Sequence, residues 1–295
     1  MRVRRSLLWV NGYDMEKLHK GIESEVDSIV LDLEDGVIPA NKEEARRKTY
    51  DALKHVDFKG KERVVRVNAL DTAEFEKDLK EVLPGIPDAI RLPKCETAEY
   101  VKKMDQILTE LEKENGAPEG SIELILMIET ALGVMNCYEM ATCSGRVTAV
   151  GIGMEDLTSS MQVTRRYELH STDLLYARQK VILECKAAGV QVIDSGVLFS
   201  GDSEFYYQDC LNDKQDGFEG RSVSDFEHVP LVNMAFSPSE KEIDWASRVI
   251  GSYEKAKQEA RSEVFVDGKY VDPPVVEKAE LIMRRYEKIR RKESV

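Results

Sequence analysis

The chain has 295 residues, of which 42% are hydrophobic and 33% charged, and its formal net charge is −13. That length holds one large α/β barrel or two smaller domains, and the composition is that of a globular protein able to bury a full core. The acidic balance excludes a general nucleic-acid surface, which needs clustered Lys and Arg, but leaves room for a local basic pocket. No apolar run approaches the ~20 residues of a membrane helix, so no membrane span is expected. The opening Met1-Arg-Val-Arg-Arg-Ser, followed by Leu-Leu-Trp-Val, has too short an apolar core for a signal peptide and no small-residue cleavage site, and reads as a first strand. Five cysteines (Cys95, Cys137, Cys143, Cys185, Cys210) are odd in number and form no CxxC pair. A reduced, cytoplasmic protein without zinc or a disulfide framework is the expectation.

In chain order, eight segments read as strands: Ser6–Val10, Ser28–Leu33, Val64–Val67, Ala89–Leu92, Ile122–Ile128, Val147–Ile152, Gln191–Ile193 and a weak Gly220–Val223. Helix-like segments separate most of them: Met15–Ile22 with Asp14 as N-cap, Lys42–Leu53, Thr72–Val82, Ala98–Glu114, Val134–Thr142, Leu174–Ala188 with Gly189 as stop signal, and a short Phe205–Asn212. This alternation predicts a parallel sheet, and eight repeats favour a closed (β/α)8 TIM barrel over residues 1–237. The absence of GxGxxG after the first strand weighs against a dinucleotide fold. Residues 238–295 form a predicted C-terminal extension of a charged helix (Ser239–Lys257), a hairpin around Asp267-Gly268 and a last helix (Val275–Arg291). It is expected to cap the barrel's own active site, a neighbour's, or both.

Nearly every apolar run is followed at once by a charged or amide residue: Asp32, Glu34 and Asp35, then Arg66 and Asn68, then Lys94, Glu129, and Glu155 with Asp156. In such a barrel, residues just past the carboxyl ends of the strands converge on one open face, where the chemistry sits. Glu129 and Asp156 end consecutive strands, and two carboxylates without nearby His or Cys suit a hard cation such as Mg2+. Solvated strand-end acids are the bland alternative. Arg66 is placed to fork onto a carboxylate or enolate oxygen, or to pair structurally with Glu34 or Asp35. Lys94 is a Schiff-base candidate or, more commonly, a strand-end ion pair. Asp272, followed by two prolines, is a mount for a catalytic acid or the N-cap of the last helix. The four histidines (His19, His55, His170, His228) show no metal spacing and read as surface residues.

Nine segments in register resemble a known family. They include Arg5-Ser-Leu-Leu-Trp-Val-Asn-Gly, Leu31-Asp-Leu-Glu-Asp, Val65-Arg-Val-Asn, Leu92-Pro-Lys, Ile128-Glu-Thr and Gly151-Ile-Gly-Met-Glu-Asp-Leu. Leu175-Tyr-Ala-Arg, Ala235-Phe-Ser-Pro-Ser and Val266-Asp-Gly-Lys-Tyr-Val-Asp-Pro-Pro-Val continue the set. Together they are similar to the citrate lyase beta subunit and its malyl-CoA and citramalyl-CoA lyase relatives, in the HpcH/HpaI aldolase group. The resemblance implies a TIM barrel, a trimer or a multiple of it, and Mg2+-dependent retro-Claisen cleavage of a β-hydroxy acyl thioester, carried by CoA or an acyl carrier protein, into a 2-keto acid and an acetyl thioester. The expected site is Glu129 and Asp156 on the metal; Arg66, Glu34 and a neighbour-delivered Asp272 in catalysis; and Arg66, Asp32, Lys94 and Arg5 (with Arg4 beside it) on substrate.

The chain departs from the family's pattern at Asn11, which stands for proline, and at the eighth strand, where Asp225, Phe226 and His228 replace histidine, proline and glutamine. The run Asp194-Ser-Gly-Val-Leu-Phe-Ser also departs. These changes fall where the thioester arm is expected. They keep open a metal-dependent aldolase acting on a free 2-keto acid aldol, alongside a non-catalytic lyase subunit.

Overall fold

Aliphatic strands buried on both faces satisfy their backbones by pairing with strands like themselves. In the computed structural model, which describes residues 2–166, 172–195, 202–261 and 263–293, they do so in chain order. The strands are β1 (Ser6–Asn11), β2 (Ser28–Asp32), β3 (Glu62–Arg66), β4 (Ala89–Leu92), β5 (Glu123–Ile128), β6 (Val147–Ile152), β7 (Gln191–Asp194) and β8 (Gly220–Val223). All pair in parallel, and β8 returns to β1 to close the barrel. The (β/α)8 expectation holds.

Strand alternation decides what fills the interior. Leu7, Val30, Val64, Ala89, Ile125, Ala149 and Ile193, one from each of seven strands, form a single apolar layer with Trp9 packed on it. Two residues further along, the same inward parity belongs to Asp32, Arg66, Arg91, Met127 and Gly151. The register aligns Asn11 with Asp32, Asp32 with Arg66 and Arg66 with Arg91, so polar side chains run in a row across β1–β4. At the amino end, fully buried Arg4 closes the barrel. Its guanidinium donates to Glu62 at 2.6 Å, Thr148 at 3.0 Å and Gln191 at 3.2 Å, and also pairs with Glu123.

On the outside of β8, Arg221 meets Asp209 at 2.5 Å and also Asp213, both on the helix Ser203–Asp216. Arg178, from the helix Leu175–Ala188, reaches the same Asp213 at 2.6 Å. This buried network ties two helices to the last strand. A buried charge left without its partner costs several kcal/mol, which is why these positions are all paired.

Two helices were not foreseen. Met154–Met161 begins one residue after Gly153, straight off β6, and Val229–Phe236 follows the β8 segment. Both are only two turns long and lack a side-chain N-cap in the sequence pattern, so periodicity has little to register. The expected Val134–Thr142 helix divides at Asn136 into Ala131–Met135 and Cys137–Thr142. His170 and the Gly196–Ser200 part of the departing run lie outside the described residues.

By its internal contacts the chain separates into two compact units, Val3–Asn233 and Met234–Val295. The second holds the helices Glu240–Gln258 and Pro273–Glu293 and a hairpin, β9 (Phe265–Val266) and β10 (Lys269–Tyr270). Ser239 and Glu242 form a capping box on the first helix. At the hairpin tip Asp267 and Gly268 have φ of 52° and 73°, the positive pair a two-residue turn of this hand requires. Ala246, Val249, Val266, Val271, Val276 and Ala279 are this unit's core. Among the described residues no helix is long and apolar enough to cross a membrane.

Candidate active site at the carboxyl end of the barrel

Arg66, the last residue of β3, is held by two carboxylates. Its Nε and Nη2 each donate at 2.7 Å to the two oxygens of Asp32, and its Nη1 lies 2.8 Å from Glu34 Oε2. Burial opposes its charge, but Asp32 and Glu34 outweigh this and hold the pKa above its ordinary value. Nη1 and Nη2 each keep a second N–H, so the guanidinium can still grip a ligand oxygen.

Asp32, expected to touch substrate, is engaged in the structure by four protein donors. Besides the two bonds from Arg66, its oxygens accept the backbone N–H of Glu34 at 2.9 Å and of Gly36 at 3.1 Å. A side chain at Gly36 would meet Asp32 Oδ2 at 2.2 Å, so glycine permits the tight turn. Asp32 is saturated; it positions Arg66.

Glu34 is buried, and its Oε1 has no hydrogen-bond partner, although Lys94 Nζ approaches it to 3.3 Å. Burial raises its pKa, Arg66 and Lys94 oppose, and the net direction is up. Lys94 itself is half-exposed. Burial works against its charge, but Glu34 and Asp35 together hold its pKa above the ordinary lysine value. It is a charged ion-pair lysine, not the neutral amine a Schiff base needs. Its backbone adopts φ 53°, which turns the N–H onto Glu129 Oε2 at 2.9 Å. Left-handed backbone at a non-glycine costs about 1–2 kcal/mol, and here it fixes the orientation of a rim carboxylate.

Glu129 follows β5 and is 2% exposed. Its pKa is pushed up to about 7, first by burial and then by Glu34 and Asp156, against the Lys94 N–H and Arg66. Asp156 sits in the first turn of the helix Met154–Met161, exposed, and bonds to no described residue. Gly153 lies between the two acids in the chain's path, and a Cβ there would come within 2.5 Å of Glu129 Cγ. Among the described residues no group of three or more His, Cys, Asp or Glu gathers as a metal cage. Glu129 and Asp156 are near enough to interact electrostatically, and two carboxylates without His or Cys are the donor type that suits a hard cation such as Mg2+, with water and ligand oxygens completing its shell.

Arg5 is not brought to this face. It precedes β1, at the opposite end of the barrel, where its Nε is 2.9 Å from Asp27. Arg4 forms the floor already described. Neither can contact a ligand at the carboxyl end, because strand direction separates the two ends. Asp272 belongs to the second unit, where its Oδ1 accepts the Val275 N–H at 3.1 Å and so caps the last helix.

Residues 5–225 match the HpcH/HpaI aldolase/citrate lyase family. The chain belongs to that family. A citrate lyase subunit beta of Leuconostoc mesenteroides subsp. cremoris is 37% identical over 96% of this chain and 93% of its own. A mitochondrial citramalyl-CoA lyase of Homo sapiens is 32% identical over 94% and 84%. The protein CitE of Mycobacterium tuberculosis, solved in complex with magnesium, acetoacetate and coenzyme A, has a TM-score of 0.77 at 29% identity, covering 96% of this chain and 97% of its own.

Within this family frame, the altered eighth-strand residues have local structural work. Asp225 caps the short turn Phe226–His228 by accepting the Glu227 N–H at 3.0 Å. His228 stacks on Tyr206 with centroids 4.1 Å apart. Trp9 and Arg91 were not singled out in the sequence. The guanidinium carbons of Arg66 and Arg91 both lie over the Trp9 ring, at 4.5 and 4.4 Å. A charged residue of inward parity in the four-residue strand Ala-Ile-Arg-Leu was the available signal.

Proposed function

We propose that the protein is a Mg2+-dependent carbon–carbon lyase that cleaves a citryl-, citramalyl- or malyl-type thioester into a 2-oxo acid and an acetyl thioester. The observation that carries this reading is the meeting of Glu129 and Arg66 on one rim, with Arg66 fixed by Asp32 and Glu34 and with donors to spare. The lyase relatives, which match almost end to end, support the same class. Glu129 and Asp156 would hold the cation. Bound there, Mg2+ supplies Lewis-acid polarisation of the substrate's hydroxyl and carboxylate oxygens.

The chain's own residues do the rest. Glu34 Oε1, buried and free of hydrogen bonds, accepts the hydroxyl proton; its raised pKa makes it a better base than an ordinary glutamate. The carbon–carbon bond then breaks, the carbinol oxygen becomes the carbonyl of the oxo acid, and the electron pair moves to the thioester's α-carbon as an enolate. The spare N–H groups of Arg66 stabilise negative charge on the reacting oxygen as the proton leaves. Asp272 of a neighbouring copy is assigned, on the family resemblance, to act on the thioester enolate by delivering a proton to its carbon. Copies of the chain are assigned to a homo-oligomer on the same ground.

The test is a cleavage assay on citramalyl-CoA, malyl-CoA and citryl-CoA with detection of the released 2-oxo acid. Turnover that requires Mg2+ and disappears in Glu129→Ala and Asp156→Ala, with the fold intact, is expected. Undiminished activity in either variant sinks the metal assignment. Silence on all three thioesters moves the assignment to an aldol without a CoA arm.

A further inference from the structure

Lys42 opens the helix Lys42–His55, and its ammonium is committed to the barrel side. Nζ donates to the Leu33 carbonyl at 2.7 Å, to the Glu34 carbonyl at 2.9 Å and to Asn68 Oδ1 at 2.7 Å. An ammonium carries three N–H groups, so this set spends all of them. None of the three oxygens belongs to a carboxylate. Lys42 is therefore neither a surface ion-pair lysine nor a residue with a donor left for a ligand.

Arg46, one turn on along the same face of the helix, reaches the other end of the same cluster. It donates to Asp78 at 3.3 Å and to Glu74 at 2.7 Å, both on the helix Ala73–Glu81. Asp78, fully buried, also accepts the Asn68 backbone N–H at 2.9 Å and Asn68 Nδ2 at 2.7 Å. The same Nδ2 donates to the Leu33 carbonyl at 3.0 Å. Ordering a lysine and burying an aspartate both cost free energy, and apolar side chains would tie the helices to the strands without that cost. Apolar contact has no direction, however, whereas a hydrogen bond fixes where a carbonyl points.

The carbonyls fixed here belong to the turn that carries the candidate base. The Glu34 N–H is held on Asp32 Oδ1 at 2.9 Å, and its carbonyl takes both Lys42 and the Val37 N–H, the latter at 3.0 Å. Its backbone is thus pinned on both sides. This matters because Glu34 Oε1 is buried without a hydrogen bond. Such an oxygen gains by swinging toward a donor. The pinned backbone and the contact of Oε2 with Arg66 oppose that swing.

We propose that Lys42 is a positioning residue for the reaction: it clamps the Leu33–Glu34 backbone and so keeps the Glu34 carboxylate aimed at the hydroxyl it deprotonates. This rests on the lyase reading above. Lys42 needs no contact with substrate, and Asn68 assists by sharing the Leu33 carbonyl. Substrate binding is left to Mg2+ and to Arg66, whose bonds to Asp32 do not pass through Lys42. The clamp is therefore expressed in turnover and not in affinity.

The test combines rate measurements with a crystal structure. Lys42→Met should lower kcat on the best of the three thioesters about 100-fold, the effect of misplacing a reacting group by about 1 Å. KM should change less than about threefold. In a Glu34→Ala background the same substitution should cost less than about threefold in kcat, because the side chain it positions is gone. Lys42→Arg, which keeps the charge but spreads its donors in a planar fork, should recover part of the loss. In the crystal structure of Lys42→Met, Glu34 should lie beyond salt-bridge reach of Arg66, about 4 Å. An unchanged kcat, an equal loss in the Glu34→Ala background, or a Glu34 still seated on Arg66 overturns the proposal. If Lys42→Met does not fold, Lys42→Gln, which retains an amide donor, decides by the same readouts. Failure of the lyase reading shows differently: the unaltered protein turns over no thioester, while Glu34 still leaves Arg66 in the variant.

Discussion

Glu129 is a carboxylate at 2% exposure with Glu34 and Asp156 close enough to repel it, so in the metal-free protein it keeps its proton up to about pH 7. The unfolded chain releases that proton near pH 4.5. Between these values the folded state binds more protons than the unfolded one, so this group's contribution to stability falls as pH rises from about 4.5 to 7. The full difference is on the order of 3 kcal/mol. Glu129→Gln, which cannot ionise, is expected to flatten the metal-free stability profile across that window in urea titrations. An unchanged profile would mean the group is not protonated there. Mg2+ competes with the same proton, so apparent Mg2+ affinity should climb through this range and level off above pH 7. Glu34, Arg66, Lys94 and Glu129 were legible in the sequence because each follows an apolar run, and the structure places them at or just past the strand ends. Asp156, expected at the end of the sixth strand, lies instead in the first turn of the helix that follows it. Arg91 was not legible, because within Ala-Ile-Arg-Leu it reads as one polar interruption until the register shows that it faces inward.

At the scale of elements, the β6-to-helix turn shapes the rim. Gly153 leads directly into Met154–Met161, so Asp156 rides on a helical first turn while Glu129 lies against the glycine's empty side. Gly153→Ala would put a methyl where Glu129 Cγ and Oε1 now stand, 2.5 and 2.7 Å from the new carbon. The carboxylate is the part free to give way, so the variant should keep its barrel and thermal midpoint to within a few degrees. Its Mg2+ affinity should fall at least about tenfold, read by calorimetry. Unchanged affinity would show that Glu129 has another route to the cation. The eight strands were recognisable because aliphatic runs buried on both faces have no other use. The two-turn helices were not, since their periodicity spans too few residues and tertiary contacts supply what their sequences lack.

On the whole molecule, the barrel unit exposes large apolar residues on helices that pack together, Ala131–Met135, Cys137–Thr142 and Leu175–Ala188. Leu132, Met135, Tyr138, Tyr176 and Leu183 are all exposed, the last two to 75% and 69%. An apolar surface on neighbouring helices marks an association face, and the proposed homo-oligomer gives it an occupant: a second copy of the chain. Tyr176→Glu combined with Leu183→Glu should lower the mass measured by light scattering toward that of a single chain, with the far-UV spectrum unchanged. Retention of the parent mass would place the interface elsewhere. Closure of the barrel was readable from strand count; this face was not, because exposed apolar residues inside an amphipathic helix look like core until packing assigns the sides. The stopper at the amino end has a kinetic consequence. With Arg4 bound to Glu62, Thr148 and Gln191, the barrel has a single mouth. In the proposed reaction both products leave by that mouth, so the one seated deeper waits for the other to depart. The product that leaves last competes with incoming substrate for the free protein, and the one that leaves first does not.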